Sequence, residues 1–408
     1  MQRTFQWILI LAAICLAVGT AVAADKPPIK IASDIPLTGP YAADGAVMKQ
    51  CLDMAVDEYN AKGGILGRKL EIVYGDVAAL EPEKVKAVGE RLLAEKPDVV
   101  ITGYDDVGIL TFGETNIPYF HSNGMSFLND MVGKEPKKYS NVFNYGVVEL
   151  DYATSAYEDF ILKAPKSMGW TPPNKKIAIL ALDFPYCTPG AQKLTEMAEK
   201  EGYKIVLNEK VQFGQPEYGP IFSKIEMQEP AFIAVFHAMP DDTANIMKQF
   251  MDYFGDDGLN ALIWMQYAPS MPDFIGLAGK AADGMVFSAG LVGQTPEGKD
   301  YGARFKKRYG MEVPGPYAQI PRWPVDIWAA AVERAGCVDC YDKVNDEIRK
   351  TSYKTMEGWT VAFDKNNAAK YGKEFFIFDM IQYQNGKQEI ITPAKRATTK
   401  MTKPPWIK

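Results

Sequence analysis

The sequence predicts an α/β protein of two doubly wound parallel-sheet lobes, and three observations carry that prediction. Short apolar runs alternate with amphipathic stretches through most of the chain, as in parallel sheets covered on both faces. The pattern restarts after Val142-Phe143-Asn144-Tyr145, with a helix from about Asp151 and a fresh strand at Lys176. Finally, roughly 380 residues remain once an N-terminal leader is set aside, more than one hydrophobic core usually serves.

The elements follow in order. Arg3, an apolar core over residues 8–18 and the small-residue pattern Ala21-Val22-Ala23 form a secretory signal. A bilayer span needs about 20 apolar residues, so this stretch is expected to be cleaved, giving residues 1–23 as signal peptide. Cys15 follows Ile14, where lipid attachment favours Gly or Ala, so release as a soluble protein is expected. Residues 29–76 then give a strand, a turn built on Pro36, Thr38, Gly39 and Pro40, a helix ending at Gly63 and Gly64, and a second strand. Cys51 lies on the apolar stripe Met48, Cys51, Leu52, Ala55, Tyr59 and is expected in the core. Strands are predicted at 29–33, 70–74, 99–102, 176–181, 204–211, 232–236, 261–265 and 285–287. Helices are predicted at 81–95, 190–201 and 243–254, and Gly, Pro, Asp or Asn marks each break. From Pro393 the chain interleaves Lys and Pro without periodicity and is expected to lie extended on a surface or be mobile.

Composition narrows the function. A net charge of −6 without a basic concentration argues against a nucleic-acid partner, and an aromatic content of 12% suits an organic solute. Cys337 and Cys340 are spaced like a metal or redox pair, but no second such pair exists and His121 and His237 are the only imidazoles. A local disulfide or two ordinary thiols is therefore expected, with no metal and no cofactor. No G-x-S-x-G, P-loop or H-E-x-x-H motif appears, which argues against an enzyme.

Several segments carry a family resemblance: IKIASDIPLTGPYAADG with its AVDEYNAKGGILGRKLEIV helix exit, IFSKIEMQEPAFIAVF, GLAGKAADGMVFSAG, PGPYAQIPRWPVDIWAAAVERAG and TMEGWTVAFD. In that order they resemble the leucine/isoleucine/valine-binding family of periplasmic binding proteins, across nearly the whole chain after the leader. The resemblance implies a periplasmic receptor of an ABC importer, with a ligand cleft between lobes joined by a three-crossing hinge. It closes by hinge rotation and docks on permease subunits. Crossings would map near residues 145–149, 288–292 and 373–375. Lobe one would comprise 25–147 and 289–373, lobe two 148–288 and 374–392, and the tail 393–408. The expected ligand is an amino acid or related small polar organic solute, the expected state a monomer. The alternatives are a receptor for an aromatic acid or amide, or a ligand-sensing domain of the same fold; such domains continue into a membrane or signalling segment, and no such segment is expected here.

Open parallel sheets bind ligands at the carboxyl ends of their strands, where helix N-termini present free N–H groups. The candidates are therefore in strand-exit loops. Tyr41 follows the PLTGP turn and is either a ligand cover or an exposed turn aromatic. Tyr186 lies where the family has a Tyr-Gly pair, with Cys187 replacing the glycine, and is either a ligand contact or lobe packing. His237 and Met239 follow the apolar strand AFIAVF, and the histidine is either structural or a ligand partner. Gln266 and Tyr267 leave the next strand as possible hydrogen-bond partners. His121, Ser122 and Asn123 follow IPYF, where the family's hydroxyl-bearing loop holds a carboxylate, although Ser and Asn also cap helices. Tyr104, Asp105 and Asp106 replace the family's small hydroxyl residues. Here the aspartates either cap a helix or face the cleft and pair with an ammonium, amide or hydroxyl. Arg322 and Trp323 would supply a cation or stacking wall, or lie on the surface.

Overall fold

The structure is a computed structural model that describes residues 26–255, 258–291, 293–313 and 321–407. The expected signal peptide, with Cys15, lies outside the described residues, as do Val292 at the second expected crossing and residues 314–320 of the PGPYAQIPRWP segment.

The first lobe is built on a five-stranded parallel sheet of order β2-β1-β3-β4-β5. Its strands are β1 (Ile29–Ile35), β2 (Leu70–Asp76), β3 (Val99–Ile101), β4 (Tyr119–His121) and β5 (Val142–Asn144). Between them run α1 (Ala42–Ala61), α2 (Pro82–Ala94), α3 (Gly108–Phe112) and α4 (Ser126–Lys134). β1 is buried at every position but Lys30 because helices cover both faces of the sheet. Gly63 and Gly64 end α1 with φ of 101° and 81°, and the Gly64 N–H donates to the Tyr59 carbonyl at 2.9 Å, a reversal a side chain would hinder.

The second lobe begins with α5 (Glu149–Ser155) and is built on β6 (Lys176–Leu182), β7 (Lys204–Val211), β8 (Phe232–Phe236), β9 (Leu262–Met265) and β10 (Val286–Ala289). Its helices are α6 (Thr188–Lys200), α7 (Gly219–Gln228), α8 (Pro240–Phe254) and α9 (Pro272–Ala278). The chain then returns to the first lobe with α10 (Pro296–Tyr309), α11 (Arg322–Ala335) and α12 (Tyr341–Arg349). Tyr301 and Phe305 of α10 bury against Val47, Cys51 and Met54 of α1, and the Asn345 amide of α12 donates to the Asn116 carbonyl at 3.0 Å. A hairpin pairs β11 (Tyr353–Lys354), just before the TMEGWTVAFD segment, with β12 (Thr360–Val361) inside it.

The chain then rejoins the second sheet as β13 (Asp379–Gln384) and β14 (Lys387–Thr392), giving the order β14-β13-β10-β9-β8-β6-β7. These last two strands are antiparallel, so the second sheet is mixed and not wholly parallel. β13 is the strand that runs against β10, and Asn385 and Gly386, with φ of 53° and 73°, make the tight two-residue turn that joins it to β14. The tail after Pro393 is docked: Trp406 is fully buried and its indole N–H donates to the Ala261 carbonyl at 2.9 Å. Arg322 and Trp323 are not on the surface either. Trp323 is buried, and Arg322 is ion-paired to Glu58 at 2.6 Å and Asp326 at 3.1 Å. Cys337 and Cys340 form a disulfide, and Cys51 is a buried thiol.

Candidate functional site

Where the two lobes face each other, a cavity of about 270 Å³ lies between the start of α1 and the exits of β8 and β9. The first lobe contributes Tyr41, Asp44 and Val47, and the second Met239, Asp241, Tyr267, Met271, Asp273 and Leu277. The PLTGP turn is held from below by Asp76, the last residue of β2. Its carboxylate accepts the N–H groups of Leu37 at 2.9 Å and Thr38 at 3.2 Å, and the Thr38 hydroxyl at 2.6 Å. Gly45 lies directly against the Pro36 carbonyl, where a side chain would not fit, so α1 starts hard against the turn and aims its first residues at the cavity.

Behind this wall, Tyr104 donates its hydroxyl to Asp44 Oδ2 at 2.9 Å and meets the Tyr41 ring edge-on at 6.0 Å. Asn123 positions Tyr104, donating from Nδ2 to its carbonyl at 2.9 Å while Oδ1 accepts the Met125 N–H at 2.9 Å. Asp44 is only 8% exposed, and burial pushes its carboxyl up to about 6 despite the Tyr104 hydrogen bond, with Asp273 across the cavity adding repulsion.

Of the candidates, Tyr41, Met239 and Tyr267 line the cavity, and Tyr104 and Asn123 stand behind it. Tyr186 packs beside it, edge-on to Tyr267 at 5.8 Å, with its ring against Gly124 of the opposite lobe. The two histidines are buried and share one local arrangement. His121 Nδ1 accepts the Asn123 N–H at 3.3 Å, and His237 Nδ1 accepts the Met239 N–H at 3.2 Å. Each imidazole thus braces its own strand-exit loop, and burial lowers them to about 3 and about 4, so both are neutral. Asp105 turns inward, accepts the Gly108 N–H at the start of α3 and lies near Asp34. Burial pushes Asp105 up to about 7 and Asp34 well above the usual carboxylate range. Asp106 is partly exposed and outside the cavity lining. The Ser122 N–H donates to the Gly103 carbonyl at 2.8 Å, and Gln266 is fully buried at the end of β9. Asp44, Asp241 and Asp273 escaped the sequence reading. All three sit in the first turn of a helix, past the strand-exit loops themselves.

A sequence profile described as periplasmic binding protein matches residues 28–379. The chain belongs to that family. Within it, this binding protein is similar to the leucine-, isoleucine-, valine-, threonine- and alanine-binding protein of Pseudomonas aeruginosa, 23% identical over 92% of this chain and 94% of that one. A solved structure from Silicibacter pomeroyi, described as a candidate branched-chain amino acid ABC transporter, superposes with a TM-score of 0.85 at 26% identity, covering 93% of this chain and all of the other. Two more distant structures share the fold. One is the branched-chain amino acid transporter substrate-binding protein of Streptococcus pneumoniae in complex with isoleucine, with TM-score 0.72, 20% identity and coverage of 89% and 98%. The other is a solute-binding protein of an ABC transporter from R. palustris in complex with benzoate, with TM-score 0.71, 18% identity and coverage of 91% and 98%. The binding protein is thus similar, over nearly its whole length, to receptors of the Leu/Ile/Val-binding kind. No helix among its described residues is long and apolar enough to cross a membrane.

Proposed function

We propose that this protein is exported through a cleaved signal peptide and captures an amino acid or related small polar organic solute by closing its lobes. It then hands the solute to the membrane subunits of an ABC importer. The observation that carries the reading is a cavity walled by both lobes, since a solute touching both binds the closed form better and shifts the population toward it. Its volume lies just under the about 300–1,000 Å³ usual for ligand sites, which suits a metabolite-sized solute. Aromatic acids are the second reading, favoured by the Tyr41 and Tyr267 rings in the wall and by the benzoate-bound relative. Small-angle scattering on natively exported protein, whose first residue is expected to be Ala24, tests the mechanism. Contraction on adding a tightly bound solute is expected, and an unchanged radius of gyration at saturation sinks cleft closure.

A further inference from the structure

Resting on the solute-capture reading, we infer that the occupant of this cavity is an organic cation: a primary or quaternary ammonium on a short apolar body, carrying no carboxylate. The argument starts from charge. Three carboxylates, Asp44, Asp241 and Asp273, line the cavity, and no Lys, Arg or His is among its described lining residues. A helix N-terminus contributes about half a positive charge, so α1 and α8 together supply about +1. Each already carries its own carboxylate in its first turn, Asp44 on α1 and Asp241 on α8. Adding Asp273, with the half charge at the start of α9 that faces it, leaves the site about one and a half charges negative. The free N–H groups that would hold a ligand carboxylate in this fold are thus screened by the protein's own acids, and an anion arriving there meets repulsion from both lobes.

The walls match a cation in a second, independent way. Tyr41 and Tyr267 present aromatic surface, and ring faces attract ammonium groups, most strongly where water is excluded. Both rings are fixed, Tyr267 by its hydroxyl donating to the Ala238 carbonyl at 3.1 Å and Tyr41 by edge contact with Tyr104. Met239, Met271 and Leu277 supply an apolar floor for the rest of the solute. Asp44 is oriented before any ligand arrives, because Tyr104 holds one of its oxygens and Asn123 holds Tyr104. Asp44 and Asp273 also repel each other across the lobes, and a cation seated between them removes that repulsion as the lobes come together.

The test is calorimetric titration of the full exported chain with choline, 1,4-diaminobutane, leucine and benzoate, each paired with scattering. Choline or the diamine is expected to bind with contraction at least about tenfold more tightly than leucine or benzoate. The doubly substituted variant Asp241→Asn/Asp273→Asn changes only exposed positions, so it leaves the fold intact. It is expected to weaken the cation at least about tenfold and to leave or improve the anion. Asp44→Asn is expected to weaken the cation further. Failure of both cations to bind overturns the inference. If leucine or benzoate then binds with contraction, solute capture survives alone, and if no probe binds and native mass spectrometry finds no retained solute, both fail.

Discussion

Asp34 and Asp105 place two carboxyls side by side in the first lobe's interior, and neither can ionise cheaply there. A carboxyl whose folded pKa is raised above its unfolded value favours the fold most at acid pH, below the usual range near 4. That stability is lost as the pH climbs through about 7, the value for Asp105. Asp105→Asn keeps an oxygen to accept the Gly108 N–H and removes the charge. It is expected to be more stable than wild type by about 1–2 kcal/mol at pH 8, with the gain vanishing near pH 4. Thermal melts across that range check it, and a gain independent of pH would refute the assignment. The same residues show why the site was only partly legible. A strand-exit rule finds Tyr41, Met239 and Tyr267, because position along the strand decides which loops reach the cleft. It cannot say whether Asp105 turns inward or outward, since that rests on a hydrogen bond to a residue three positions on and on what surrounds it in space.

At the level of elements, the eight predicted strands all form, because most are short apolar runs bounded by turn residues and need no knowledge of their partners. β13 and β14 were missed although Asn385-Gly386 is a strong hairpin signal between them. Their side chains do not alternate cleanly, since β13 is buried at nearly every position. The tail is a different case: a segment rich in Lys and Pro has no pattern of its own, and tertiary contacts order it, among them Trp406 beside Ala261, the Thr402 N–H on Gln382 and Arg396 on Asp379. That dependence is measurable. Trp406→Ala is expected to cost about 3–5 kcal/mol, the range for deleting a fully buried large aromatic. Denaturant unfolding reads it directly, and a loss below about 1 kcal/mol would show the tail contributes little to stability.

For the whole molecule, the two-lobe plan was legible because the βα pattern visibly restarts, whereas the ties between crossings were not. Arg396 joins Asp379, Glu357 and the Leu291 carbonyl at 2.7–3.0 Å, residues spread over more than a hundred positions. Two of those partners are fully buried carboxylates, so the three strands of backbone are locked to one guanidinium. Away from that anchor, Gly124 of the first lobe faces the Tyr186 ring of the second, with no space for even one more carbon. A methyl placed there by Gly124→Ala would act as a doorstop, holding the jaws ajar without touching anything in the mouth. Stopped-flow release should then quicken by roughly tenfold while the preference among solutes stays the same, and an unaltered release rate would mean the jaws never meet at that point. How long a solute is kept, and so how readily it is surrendered, would be set by one hydrogen atom on a backbone carbon that is not itself part of the cavity wall.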